Sequence, residues 1–98
     1  MAMKSSTKIF THLWYAKEAE QAAQFYASIF PDSRVESVTP LMTETPSGPA
    51  GSVKVVDFTL FGQRFQAITA GPHHEFNDAI SLVVLCDDQA ELDRYWDA

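Results

Sequence analysis

His73, His74 and Glu75 follow one another in "AGPHHEFNDAISLVVLC" (70–86), and His-His-Glu supplies the donor types of a divalent-metal site. Spacing argues against that use. In a strand the two imidazoles would point to opposite faces, and in a Gly71-Pro72 turn both stand in solvent, so they do not converge on one ion. The run reads as a connection, with His73 kept as a catalytic candidate. His12 lies between Phe10 and Trp14 on one face of "KIFTHLWY" (8–15). An imidazole there is either a metal ligand or a half-buried side chain satisfied by one hydrogen bond, and its apolar flanks favour the second. Asp57 shares a face with Val55 and Thr59, opposite Val56, Phe58 and Leu60. A carboxylate so placed is a candidate general base, or an acid on a partly solvated sheet. Cys86 precedes Asp87 and Asp88, whose charges oppose a thiolate, and burial in an apolar strand accounts for it more simply. No Ser-His-Asp or Cys-His set can be assembled from spacing.

The elements that must position these side chains follow from periodicity. Aromatic and β-branched residues over 8–15 predict a strand buried on both sides. "EAEQAAQFYASIF" (18–30) brings Ala19, Ala22, Ala23, Tyr26, Ile29 and Phe30 to one side of a helix that Pro31 ends. "SRVESVT" (33–39) predicts a short strand, and "PLMTETPSGPAG" (40–51), rich in proline and glycine, a loop. "VKVVDFTLFGQRFQAIT" (53–69) predicts a hairpin turning at Gly62-Gln63. "AISLVVLC" (79–86) is apolar on both faces and predicts a central strand. "DDQAELDRYWDA" (87–98) opens a helix with Asp88 and Glu91 spaced as a capping box, its apolar face being Leu92, Tyr95 and Trp96. The order is an α+β pattern: one βαβββ unit over 1–70, a crossover over 71–78, and the first strand and helix of a second unit over 79–98.

Composition bounds what such a unit does. With 98 residues, 46% hydrophobic and 20% charged, the chain forms one small folded domain with a thin core. Acids outnumber bases 13 to 7 and the bases are scattered, which argues against nucleic acid and anionic membranes as partners. A single cysteine and a start, "MAMKSSTKIF", without an apolar leader predict a reducing, cytoplasmic setting.

The element order, with "FYASIFPDS", "AGPHHEFNDAIS" and "DDQAELDRYW" inside two longer matching strings covering 12–39 and 51–96, resembles the PhnB-like branch of the vicinal oxygen chelate superfamily. That superfamily includes glyoxalases, extradiol dioxygenases and bleomycin-resistance proteins. The resemblance implies a mixed, curved sheet around a small-molecule cleft, here lined by His12, Trp14, Asp57 and Thr69, with Ser81 contributed by the fifth strand. It also implies a chain truncated relative to its relatives, whose second unit runs on for further strands. Members often carry the label of a demethylubiquinone methyltransferase, but no glycine-rich loop follows the first strand to hold a nucleotide-like cofactor. In the superfamily a metal is held from the first and last strands of each unit. His12 matches the first position, whereas Thr69 and Ala70 stand near the fourth and Ser81 at the fifth, so a divalent metal is disfavoured and no cofactor is expected. Three functions are compatible with this: a metal-assisted enzyme, a metal-free ligand-sequestering module of the bleomycin-resistance type, and a self-associating relic. The open sheet edge predicts a homodimer in which the fifth strand and last helix pack on, or exchange into, the other chain.

Overall fold

The computed structural model describes residues 8–46 and 48–98, so most of the stretch read as free of a leader lies outside the described residues. Its elements are β1 (Thr11–Tyr15), α1 (Ala19–Ile29), β2 (Arg34–Pro40), β3 (Lys54–Leu60), β4 (Gln63–Thr69) and α2 (Gln89–Trp96). The strands form one sheet in the order β1-β4-β3-β2. β1 runs parallel to β4, and the other two pairs are antiparallel. This is the expected α+β βαβββ arrangement.

Strand alternation divides the sheet cleanly. Val56 and Phe58 of β3 and Phe65 and Ala67 of β4 are buried against Ala19 and Ala23 of α1, with Leu13, Tyr15, Val35, Val38 and Leu60 around them. Phe58 and Phe65 face each other across the β3–β4 pair with ring centroids 5.6 Å apart. The small alanines of α1 let the helix approach the sheet closely. α1 ends where Phe30 turns extended (φ −98, ψ 145), the conformation demanded of a residue before proline. Burial of β1 is one-sided rather than two-sided, because His12 is exposed.

β2 carries a bulge between Val35 and Ser37. The extra residue, Glu36, allows Val35 and Val38 both to reach the helix side although an even strand would separate them. The β3–β4 turn falls at Phe61-Gly62, one residue earlier than the sequence predicts, since Leu60 pairs with Gln63. Phe61 (φ 52) and Gly62 (φ 74) both adopt positive φ, the geometry that matches the twist of a two-residue hairpin. A phenylalanine is unusual there. Its N–H donates to Ser33 Oγ at 3.0 Å, and its ring lies 5.3 Å from that of Phe30, so the turn is docked onto the α1–β2 connection.

The strand expected over 79–86 is not formed: these residues have no strand partner among the described residues, and Ile80, Val83 and Leu85 are 81%, 80% and 87% exposed. Intrinsic strand preference is insufficient where no edge receives the segment. α2 is as expected, with Asp88 Oδ1 accepting from the Glu91 N–H at 2.8 Å. The return bond comes from the Asp87 N–H to Glu91 Oε1 at 2.6 Å, one residue earlier than in a capping box. Of its expected apolar face only Tyr95 packs, against Phe30 at 4.8 Å, while Leu92 and Trp96 are exposed.

Phe58→Ala is expected to cost about 3–5 kcal/mol in denaturant unfolding, as for other buried aromatics. Gly62→Ala, at φ +74 and with a Cβ meeting Asp32 Oδ2 at 3.1 Å, is expected to cost about 1 kcal/mol. His73→Ala, on an exposed loop residue, should stay within about 0.5 kcal/mol; a loss matching that of Phe58→Ala would contradict this division between core and loop.

Candidate functional site

The sheet face away from α1 is polar, and its side chains are joined in a row. Register places His12 of β1 beside Gln66 of β4, Gln66 beside Asp57 of β3, and Asp57 beside Ser37 of β2. One residue from each strand therefore lies on a line across the whole sheet. His12 Nδ1 is 2.9 Å from Gln66 Oε1, Gln66 Nε2 donates to Asp57 Oδ1 at 3.0 Å, and Ser37 Oγ donates to Asp57 Oδ2 at 3.3 Å. Arg64, two residues before Gln66 and on the same face, donates to Asp57 Oδ1 at 3.2 Å, and its guanidinium lies 3.9 Å from the centre of the Phe10 ring. The bulged Glu36 adds an acid that accepts from Arg34 Nε at 3.1 Å and from the Thr59 hydroxyl at 3.5 Å.

Trp14 continues the β1 row beyond His12. Its indole N–H donates to the Gly71 carbonyl at 2.9 Å, and the His73 and His74 rings stand edge-on to it at 6.3 and 4.7 Å. Both crossover histidines thus pack beside Trp14. His12, Trp14 and Asp57 share the open face. Thr69 does not: it alternates with Phe65 and Ala67 on the helix side, where its hydroxyl accepts from the Ala19 N–H at 3.1 Å. It supplies the α1 cap that Glu18 does not. Ser81 belongs to the exposed 79–86 segment and lines an open cavity of about 820 Å³ on the helix side, with Tyr15, Phe30, Phe58 and Phe65 among its walls. Burial first, then the charges of Tyr26 and Glu18, push the Tyr15 phenol above its ordinary range. Cys86 also has its thiol pushed up, by desolvation first and then by Glu91 and Asp87.

Glu36, Ser37, Arg64 and Gln66 were not legible as site residues without the register. The alternation of Arg64, Gln66 and Ile68 against Phe65, Ala67 and Thr69 would have assigned β4 to its faces and excluded Thr69.

The polar donors and acceptors of this face are engaged with one another. His12 Nδ1 and Gln66 Oε1 lie within hydrogen-bond distance of each other, Asp57 already accepts from three side chains, and the described residues contain no group of three or more His, Cys, Asp or Glu able to hold an ion.

The family profile described as 3-demethylubiquinone-9 3-methyltransferase matches residues 7–98. A Bacillus cereus PhnB protein carrying the same designation superposes with a TM-score of 0.76 at 32% identity, covering 93% of this chain and 71% of its own. The chain belongs to this PhnB-like, glyoxalase-like family. A Staphylococcus aureus protein is also similar, at 30% identity and a TM-score of 0.48 over 99% of this chain and 68% of its own. No curated protein matches significantly. In this PhnB-like chain no helix among the described residues is long and apolar enough to cross a membrane.

Because Thr69 serves the helix and not the open face, Thr69→Val is expected to lower stability by about 0.5–2 kcal/mol, the usual cost of losing a helix cap. The ring-nitrogen signals of His12 should be unchanged in the same variant, and a change there would place Thr69 in the polar row.

Proposed function

We propose that this PhnB-like chain binds a small organic molecule on the open sheet face, at His12, Trp14 and Asp57, without a resident metal. The observation that carries the reading is the hydrogen-bonded row Ser37–Asp57–Gln66–His12, which holds its polar side chains in fixed orientations on the sheet face away from α1. Preorganised polar groups beside an indole are what a planar, partly polar ligand needs: the ring stacks and the row fixes its orientation. Asp57 acts here as the anchor of the row, and His73 as a rim residue beside Trp14. Methyl transfer, the activity in the family's designation, is not part of this reading, since residues 16–18 between β1 and α1 are Ala, Lys and Glu and offer no glycine-rich loop for a nucleotide-like cofactor.

A second reading, sequestration of an apolar compound in the manner of bleomycin-resistance proteins, is favoured by the aromatic cavity of about 820 Å³ on the helix side. The two differ in the residues they need. A thermal-shift screen with planar hydroxylated aromatics is expected to raise Tm for the native chain and not for His12→Ala. A rise that survives His12→Ala but is lost when Leu13→Trp fills the cavity supports the second reading and defeats the first. Dialysis against zinc, nickel or manganese should leave no stoichiometric ion; one tight ion per chain, lost in His12→Ala, defeats the metal-free reading.

We also propose that the chain works as a homodimer in a reducing compartment such as the cytoplasm. The exposed apolar run over 79–86 and the β1 edge, paired only with β4, both lack a neighbour among the described residues. The expected result is a Tm that rises with protein concentration and a dimer by light scattering. A 10.9 kDa monomer with a concentration-independent Tm overturns it.

A further inference from the structure

We infer that Gln66 is a positioning residue that locks His12 in the tautomer protonated on Nδ1, leaving Nε2 as a bare acceptor on the open face. The argument runs from the charged end of the row. An ionised carboxylate can only accept, so the Gln66 group 3.0 Å from Asp57 Oδ1 must be the amide NH2. Arg64 and Ser37 donate to the same carboxylate, at 3.2 and 3.3 Å, and keep it in its acceptor role. Turning the amide over would set its oxygen against the carboxylate, at the cost of a favourable bond and a new repulsion. The amide oxygen therefore faces His12, 2.9 Å from Nδ1. Two lone pairs cannot meet at that distance, so Nδ1 carries a proton. A neutral imidazole has only one, and Nε2 is left with its lone pair.

The lock has a chemical consequence. Free imidazole side chains prefer the opposite tautomer, so an isolated histidine at this place would present mainly an N–H to a ligand. His12 presents an acceptor instead. For ligand class this rests on the open-face reading above: the preferred molecule brings an O–H or N–H to Nε2 while its plane lies against Trp14, and an aprotic carbonyl compound finds no donor from His12. A proton taken up from such a ligand would reside on Nε2, with no rearrangement of Gln66 or Asp57.

Nitrogen-15 NMR of the ring nitrogens in the ligand-free protein tests the lock apart from any ligand. The chain has three histidines, and His12 is assigned by the signals lost in His12→Ala. In alkaline buffer, with the imidazoles neutral, His12 is expected to show a protonated Nδ1 and an unprotonated Nε2. Asp57→Asn, which touches no atom of His12, frees the Gln66 amide to turn over and is expected to return His12 to a mixture of tautomers; Gln66→Leu should do the same. A native His12 protonated on Nε2 overturns the inference, and this needs no variant to fold beyond the one used for assignment. A pure Nδ1–H form persisting in a folded Asp57→Asn protein also overturns it, because Gln66 would then not transmit the constraint. Failure of the thermal-shift screen with the lock intact would count against the ligand site alone.

Discussion

β4 is bonded on both sides, parallel to β1 and antiparallel to β3, and its alternation decides what each face of the sheet contains. Phe65, Ala67 and Thr69 give one side a core and a helix cap, while Arg64 and Gln66 give the other its polar side chains. A slip of one residue would exchange the two sets, burying a guanidinium and an amide under α1 and exposing Phe65. The register is therefore held from both directions. Burial of Phe58 against Phe65 specifies it from the helix side, and the bonds of Asp57 to Arg64 and Gln66 specify it from the other. Structure and site thus depend on one alignment.

The βαβββ order was legible because each element has its own period and its own stop: the alanines and aromatics of α1 before Pro31, and the alternating β3 and β4 around a glycine turn. The site was only half legible. His12, Trp14 and Asp57 stand out as chemistry-bearing residues, but their connection runs through Gln66, which is unremarkable in a string. Finding it requires the hairpin turn. A turn at Gly62-Gln63 pairs Asp57 with Ile68, whereas the turn at Phe61-Gly62 pairs it with Gln66. Sequence rules disfavour a phenylalanine at positive φ, so they move the turn by one residue. What they lack is the tertiary compensation, the Ser33 hydroxyl on the Phe61 N–H and the Phe30 ring beside the Phe61 ring. Glu36 is hidden similarly, since a bulge is a property of the pair and not of one strand.

The 79–86 segment shows the converse limit. Its composition is that of a buried strand, yet strand formation depends on neighbours, and it is exposed beside the helix-side cavity. Pattern states what a segment needs. Topology states whether it is supplied. Here the relevant free edge is β1, an outer strand without a charged Lys, Arg, Asp or Glu to guard it.

Charge balance on the open face bears on what it can select. Arg34 pairs with Glu36 and Arg64 with Asp57, so the strong charges cancel within the face although the chain carries a formal net charge of −6. These pairs are partly exposed and add little stability, so their main effect is geometric: they fix where carboxylate oxygens point. A face with cancelled charges does not draw ligands by long-range steering. On the proposed reading it would discriminate by contact, through the direction of each donor and acceptor and the apolar surfaces of Phe10 and Trp14 beside them. Arg64 illustrates the economy of this arrangement, since one guanidinium both holds Asp57 and covers the Phe10 ring. Its Nε is buried without a partner among the described residues. That leaves His12, at the end of the row nearest the free β1 edge, as the ionisable side chain of the row outside an ion pair, and so, on the proposed reading, as the place where a ligand's own proton would matter.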